Sequence, residues 1–493
     1  MKAELLDSAP GVRYEAVGNG PAVIDDLGWS VLFDTMAHGD AFIGEVVRAL
    51  VPQSLVDPAA IRYRQQVLAD CCAHPDAVRE LYRIATEATE VRRWTAARNR
   101  EPRTKLNLSL EPLDGMLTCA GQLRAALRRY APLLRSDGFT RLTTRLDAEL
   151  NDDYLDAIRT CLRGLRFDNG YHMSAGLGRG NKATEIVLHE PTAPRRRRLA
   201  LRSGRSFQVP NDDEAGSDYV TALLGRGLRS VADTVSHATD LVQRFFSDLR
   251  TELAFYLGGL NLYEAVRAAG YPACFPDPLP SGTPGLEFAG LRDPALCLSS
   301  PLPVAGNTLT APAVSLVVAT GANSGGKSTF LRGVGSAHLM MQAGLFVVAD
   351  SFAADVRDGI FTHFRAPEDA TMTYGKLAEE MVRMRGIVDG IGDTSLVLCN
   401  EPFSSTNERE AAEIAAPIVR ALCARGAKLV LVTHLYDLAH GLYERDRPDA
   451  VFLRAERLAD GTRTYRLVPG APETTSHGGD IFGRMLPDRS ISR

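Results

Sequence analysis

"TGANSGGKST", residues 320–329, carries the spacing G-x-x-x-x-G-K-[ST] as Gly321, Gly326, Lys327 and Ser328. It follows the strand-like "VSLVVAT" (314–320) and opens the helix-like "STFLRGVGSAHLMMQ" (328–342). Strand, glycine loop and helix in that order form a phosphate-binding turn. The glycines let backbone N–H groups converge on phosphate oxygens, and the helix N-terminus adds a favourable partial charge. Lys327 is expected to reach the β- and γ-phosphates, and the Ser328 hydroxyl to ligate Mg²⁺. Gly325 and Thr329 lie in the same loop and join it as nucleotide-binding candidates. Guanine is disfavoured as the base, because Asn181-Lys182 is followed by Ala-Thr rather than by x-Asp. ATP is the expected nucleotide.

Outward from this loop, short apolar runs alternate with helical stretches: "GLFVVAD" (344–350), "SLVLC" (395–399) and "KLVLVT" (428–433). That rhythm predicts an α/β layer with a largely parallel, buried sheet over about 301–493. Upstream, "YPACFPDPLPSGTPG" (271–285) is rich in proline and glycine and predicts a linker, with entry to the α/β domain spanning 271–300. Residues 25–270 read as mostly helical, behind an N-terminal segment of 1–24. Leu117, Ala120, Leu123, Leu127, Tyr130 and Leu134 recur at steps of three and four. Leu228, Val231, Val235, Ala238, Leu241, Phe245, Leu249, Leu253 and Tyr256 continue such a pattern. Carried to residue 268, it predicts a strut of roughly 40 residues, about 60 Å long at 1.5 Å per residue, unless Gly258-Gly259 splits it into two helices. Between these stretches, "GYHMSAGLGRGNKATEIVLHEP" predicts hairpins in a small β-rich segment at about 167–215.

The totals agree with a globular protein of two or three domains: 493 residues, 45% apolar, 24% charged and 7% aromatic. A net charge of −4 gives no overall field for nucleic acid, so such contacts need a local basic patch. "PRRRRLALRSGRSF" supplies one, with Arg195, Arg196, Arg197, Arg198, Arg202 and Arg205 as candidate nucleic-acid contacts. The eight cysteines show no C-x-x-C pair, which argues against zinc and a disulfide framework. No apolar N-terminal core or membrane-length run occurs, and a cytoplasmic location without a membrane is expected.

"SLVLCNEPFSSTNERE" (395–410) is an acidic strand end whose first polar residue is Asn400. Such ends commonly carry an aspartate that holds Mg²⁺ through water, followed by a Glu that polarises the attacking water. Here Asn400 would hold the metal indirectly and Glu401 would be catalytic. Asp350, ending "GLFVVAD", is a second candidate for the metal. His434, ending "KLVLVTH", is a candidate γ-phosphate sensor.

Together, "TGANSGGKSTFLR", "SLVLCNEPFSSTNERE" and "VLVTHLYDL" resemble the ATPase domain of the MutS family of DNA mismatch-repair proteins, an ABC-type ATPase. More loosely, "GYHMSAGLGRG" resembles that family's clamp and "LNLYEAVRAAGYPACFP" the end of its returning lever helix. The resemblance implies a homodimer in which ATP and Mg²⁺, bound at two sites, move levers and a clamp around DNA. It implies nucleotide-site roles for Asn323, Lys327, Ser328, Glu401 and His434. It assigns Thr406 and Glu410 to a loop facing the partner subunit.

Several departures qualify that expectation. Asn400 keeps an acceptor oxygen but loses the charge near Mg²⁺, weakening metal or transition-state support by about 1–3 kcal/mol. Retained Glu401 predicts slow hydrolysis rather than none. The family's Ser-Thr-Phe signature aligns with "GKL", where Gly375 replaces the serine and Lys376 offers a cation to the other subunit's phosphate. The Glu380-Met381 pair that follows fits the family pattern. No Phe-x-Glu occurs, and no mismatch-reading domain, helical dimerisation tail or nuclease domain is recognised, so direct mismatch reading is not expected. The expected function is a slow, dimeric ATPase that drives a structure-specific grip on DNA. The alternative is an ATP-gated module that grips a protein partner without hydrolysis.

Overall fold

The structure, a computed structural model, describes residues 3–7, 14–16, 18, 20–90, 101–168, 170–181, 183–189, 210, 213–321, 325–364, 375–458 and 460–473. The chain forms two compact units. The smaller comprises Met1–Glu4, Asp76–Arg135 and Phe139–Leu253; the larger comprises Leu5–Pro75, Ser136–Gly138 and Ala254–Arg493. The N-terminal part is mainly helical, and the larger sheets lie in the C-terminal part.

The larger unit begins with β1 (Tyr14–Ala16), α1 (Pro21–Asp26), α2 (Ser30–Ala37), α3 (Ala41–Leu50), β2 (Gln53–Leu55) and α4 (Pro58–Ala73). Local chemistry starts these helices. Asp40 accepts from the N–H groups of Phe42 and Ile43 at 2.8 and 3.2 Å, capping α3. Asp57 accepts from Ala59 N–H at 3.0 Å, and Pro58 opens α4 where no N–H is needed.

The smaller unit holds most of α5 (Pro75–Glu90), then α6 (Pro102–Tyr130), α7 (Asp137–Glu149) and α8 (Asp152–Gly164). Leu117, Ala120, Leu123 and Leu127 line the buried stripe of α6. An antiparallel pair follows, β3 (Met173–Leu177) with β4 (Ala183–Leu188).

Helix α9 (Glu214–Ala268) is a single element of 55 residues, about 82 Å long at 1.5 Å per residue. It starts earlier than the sequence pattern predicts and runs unbroken through Gly258-Gly259. Packing explains those glycines. A Cβ on Gly258 would lie 2.5 Å from Val47 Cγ1, and one on Gly259 3.0 Å from Leu68 Cδ1. Close approach of neighbouring side chains therefore offsets the helix propensity lost, about 1 kcal/mol per glycine relative to alanine.

The larger unit resumes with β5 (Asp277–Leu279), β6 (Leu286–Leu291), α10 (Pro294–Ser299), β7 (Asn307–Ala311) and β8 (Leu316–Thr320). It continues with α11 (Lys327–Ala343), β9 (Ser351–Asp355), β10 (Ile360–Phe364), α12 (Lys376–Gly390) and β11 (Leu396–Asn400). The last elements are α13 (Glu408–Ala424), β12 (Lys428–Val432), α14 (Tyr436–Tyr443), β13 (Ala450–Arg457) and β14 (Arg463–Pro469).

A six-stranded sheet runs β10-β11-β12-β8-β13-β14, parallel except where β14 returns along β13. Its central strands are buried on both faces, as their unbroken apolar runs require. Met384 and Ile387 of α12, Val419 of α13 and Leu438 of α14 join Val397, Leu429 and Leu431 in one core cluster. Beside a second sheet, β5-β9-β6-β7, the expected strand at 344–350 does not form. Residues 344–350 make only an isolated bridge, Cys274 to Val347, and β9 starts at Ser351. Asp350 is exposed, and its N–H donates to Ala289 O at 2.9 Å beside β6. It thus lies beside the second sheet rather than at the end of a strand of the sheet that carries the phosphate loop, and Asn400 holds the strand-end position.

Among the described residues no helix is long and apolar enough to cross a membrane. All eight cysteines are free.

Candidate functional site

Register brings three strand ends together. Asn400 of β11 pairs with Val432 of β12, and Val432 pairs with Ala319 of β8. The chain therefore leaves these strands at one level, at the carboxyl edge where parallel α/β sheets bind ligands. Gly321 and the phosphate loop follow β8, Glu401 follows β11, and His434 lies just past β12. Backbone bonds tie the exits: Glu401 N–H donates to Val432 O at 2.8 Å and Thr433 N–H to Ala319 O at 3.1 Å.

The loop's glycines are required by a hairpin packed beside them. Gly321 has φ +105°, and a Cβ there would sit 3.0 Å from Ala455 N of β13. Gly326 has φ +90°, and its Cβ would sit 2.8 Å from the Tyr465 carbonyl of β14. Both conformations disfavour L side chains, and both positions lack room for one. Behind Gly326, α11 begins without a side-chain cap among the described residues, and first-turn N–H groups of such a start suit an anion. Gly325 is buried, and Thr329 is half-buried in that first turn. Asn323 lies outside the described residues, as do Arg195 to Arg198, Arg202 and Arg205.

Lys327 is 4% exposed, and its Nζ donates to Gly321 O at 2.8 Å. Burial lowers its pKa; the Glu401 carboxylate opposes that shift, and Arg463 adds to it. Ser328 Oγ donates to Asn400 Oδ1 at 3.0 Å. This pair sets two neutral oxygens at the junction of β11 and α11. The donor set fits Mg²⁺, a hard cation that takes oxygen ligands and retains water, with the compensating negative charge left to substrate phosphates.

Glu401 has φ +52°, an uncommon conformation for a residue with a side chain. Its Oε2 lies 3.8 Å from His434 Nδ1. Interaction with Glu401 raises the His434 pKa, against the opposing effect of burial. The following loop is held from α12: Glu380 accepts hydrogen bonds from Phe403 N–H and Ser405 Oγ. Thr406 Oγ1 donates to Glu410, as does Asn407 Nδ2 at 3.1 Å, while Asn407 Oδ1 caps α13. Within this chain Thr406 and Glu410 thus bond to each other. Lys376 opens α12 after Gly375 and is half-buried.

The structure therefore assembles Gly321, Gly325, Gly326, Lys327, Ser328, Asn400, Glu401 and His434 around one sheet edge. Two contributors escape a reading of motifs. One is Glu380, visible in sequence only as part of a fitting pair. The other is the β13–β14 hairpin, whose alternating "AVFLRAER" and "RTYRLVP" mark strands but not what they touch.

This layout defines a phosphate-loop α/β domain preceded by a helical region. Comparison with known proteins gives the family. Residues 56–269 match the MutS2 N-terminal domain, and residues 317–481 match MutS domain V. The DNA mismatch repair protein MutS of Natronomonas pharaonis is 29% identical over 311 residues, covering 60% of this chain and 35% of that protein. The endonuclease MutS2 of Geobacillus thermodenitrificans is 33% identical over 180 residues, covering 36% of this chain and 23% of that protein. The endonuclease MutS2 of Anaeromyxobacter is 35% identical over 200 residues, covering 39% and 24% respectively. The chain thus spans about a quarter to a third of the length of these curated relatives. It belongs to the MutS family.

Proposed function

We propose that this chain binds ATP with Mg²⁺, hydrolyses it slowly, and uses the nucleotide state of a dimer to drive a structure-dependent grip on DNA. Supporting this reading is the convergence of Lys327, Ser328, Asn400, Glu401 and His434 at the carboxyl edge of β8, β11 and β12. Loop N–H groups and Lys327 bind the phosphates, with Lys327 exchanging the Gly321 carbonyl for phosphate oxygen. Mg²⁺, when bound, shields phosphate charge and favours the in-line geometry of transfer. Glu401 orients water toward the γ-phosphorus and takes its proton as the bond to the bridging oxygen breaks, releasing ADP and phosphate. His434 sits against Glu401 and senses the γ-phosphate. Neutral Asn400 is the reason hydrolysis is slow.

In the smaller unit, the β3–β4 hairpin and the helices act as clamp and lever, with α9 as the long element that carries motion. The ATPase domain, of ABC type, spans 301–493, behind a linker and entry to that domain at 271–300, the helical region at 25–270 and a leading segment of 1–24. The arginine run from Arg195 to Arg205 supplies phosphate contacts. Lys376, Thr406 and Glu410 face the partner subunit.

Steady-state turnover by wild type, Glu401→Gln and Asn400→Asp, with and without branched DNA, tests the reading. Slow turnover lost in Glu401→Gln, raised in Asn400→Asp and stimulated by DNA is the expected result. Wild type that binds ATP yet matches Glu401→Gln at background, with every DNA, overturns hydrolysis. The neutral Asn400 gives a second reading its footing: an ATP-gated module gripping a protein partner without turnover. DNA binding that weakens steeply with salt favours the first reading over the second.

A further inference from the structure

Arg463 opens β14, the strand that runs beside the phosphate loop: two residues on, the Tyr465 carbonyl occupies the space a Cβ on Gly326 would need. Its Nε and Nη2 are shielded from solvent and have no hydrogen-bond partner among the described residues. A guanidinium is always charged, and leaving its N–H groups dry and unmatched is unfavourable unless a ligand completes them. The carboxylates of its own hairpin are turned elsewhere. Glu456 accepts from Thr464 Oγ1 at 2.7 Å, and Asp460 from Thr462 N–H at 2.9 Å. Gly326 directly precedes Lys327, so the strand that bears Arg463 runs against the turn that bears Lys327. A second cation thus stands on the strand beside this turn, at a site where Asn400 supplies no compensating negative charge.

We propose that Arg463 is a second phosphate-binding cation of this site, and that with Asn400 it lets the site hold a nucleoside triphosphate with reduced dependence on a divalent ion. The inference rests on the nucleotide-binding reading above. Charge supplies the logic. Compared with a site that has an aspartate on β11 and no arginine on β14, this one is two units more positive before any metal arrives. Part of the phosphate charge that Mg²⁺ normally shields is met by a planar donor fork suited to phosphate oxygens.

Calorimetric titration of ATP and of adenosine tests this in Mg²⁺ and in EDTA, with wild type, Arg463→Gln, Arg463→Lys and Lys327→Ala. Melting curves establish that each variant is folded. Wild type is expected to lose less than about tenfold in ATP affinity on metal removal. Arg463→Gln is expected to lose about tenfold or more in EDTA and less in Mg²⁺, with Arg463→Lys recovering part of the loss. ATP binding abolished by Lys327→Ala but unchanged in Arg463→Gln overturns this proposal alone. Equal losses of ATP and adenosine in Arg463→Gln also overturn it, by making Arg463 a base contact. Wild type that binds no ATP in either condition overturns both this inference and the nucleotide reading.

Discussion

Ser328 donates its hydroxyl hydrogen to the amide oxygen of Asn400 across 3.0 Å, joining the first turn of α11 to the end of β11. A carboxylate at position 400 would accept the same hydrogen bond and also carry a charge. The substitution therefore keeps the geometry and removes the electrostatics, which makes it separable by mutation. Asn400→Asp is expected to tighten Mg²⁺ dependence and raise turnover by about tenfold, from about 1–3 kcal/mol of restored support. Turnover against Mg²⁺ concentration checks it; an unchanged metal dependence would exclude Asn400 as an indirect metal contact.

Glu401→Gln is expected to lower turnover by about a hundredfold or more while leaving ATP affinity within a few-fold of wild type. Turnover and calorimetric binding on the same preparation separate the two. A parallel loss of binding would mean that Glu401 supports the loop and not the reacting water.

The His434–Glu401 pair also predicts a pH dependence. Contact with Glu401 raises the folded His434 pKa above its ordinary 6.5. The resulting stability is fully present below the unfolded pKa and is lost as pH rises through the folded one. Both side chains are about one-third exposed, so the effect is screened and modest. Denaturant midpoints of wild type and Glu401→Gln should differ most in mildly acid buffer and converge above neutrality. An NMR titration should show the His434 pKa falling in the variant.

Gly326→Ala should be harmful for two reasons at once: a backbone at φ +90° and a Tyr465 carbonyl 2.8 Å from the new Cβ. A loss of about 1–3 kcal/mol in stability is expected, together with weakened ATP binding as the loop and the hairpin separate. Melting temperature and ATP titration measure the two parts.

Glu380→Ala removes the acceptor shared by Phe403 N–H and Ser405 Oγ. The loop after Glu401 should loosen, at about 1–3 kcal/mol for donors left unmatched. Since Glu380 makes these bonds behind the acidic strand end, kcat is expected to fall with KM little changed. A change in KM alone would argue against a positioning role.

Much of the phosphate-loop domain was legible before folding. The Gly321–Ser328 spacing, the buried runs around β8, β11 and β12, and His434 after the last of them are all local patterns. Gly258-Gly259 left a continuous strut and a split helix both open, because glycine signals both a helix breaker and a close contact. Only the positions of Val47 and Leu68 distinguish these meanings. Asp350 stood as a second metal candidate beside Asn400 for a related reason: an apolar run ending in aspartate looks alike in either sheet.

By itself the sequence determined the strand–glycine loop–helix unit, the neutral residue at 400 and the glutamate after it. These depend on neighbours along the chain, where turn geometry and helix dipoles act. The tertiary structure alone decided which strand end faces the loop, because the order β10-β11-β12-β8 is a pairing between distant segments. It alone set β13 and β14 against Gly321 and Gly326, and left Arg463 of β14 with dry, unmatched N–H groups. Burial, register and the field between charges depend on distance through space, which spacing along a chain does not encode.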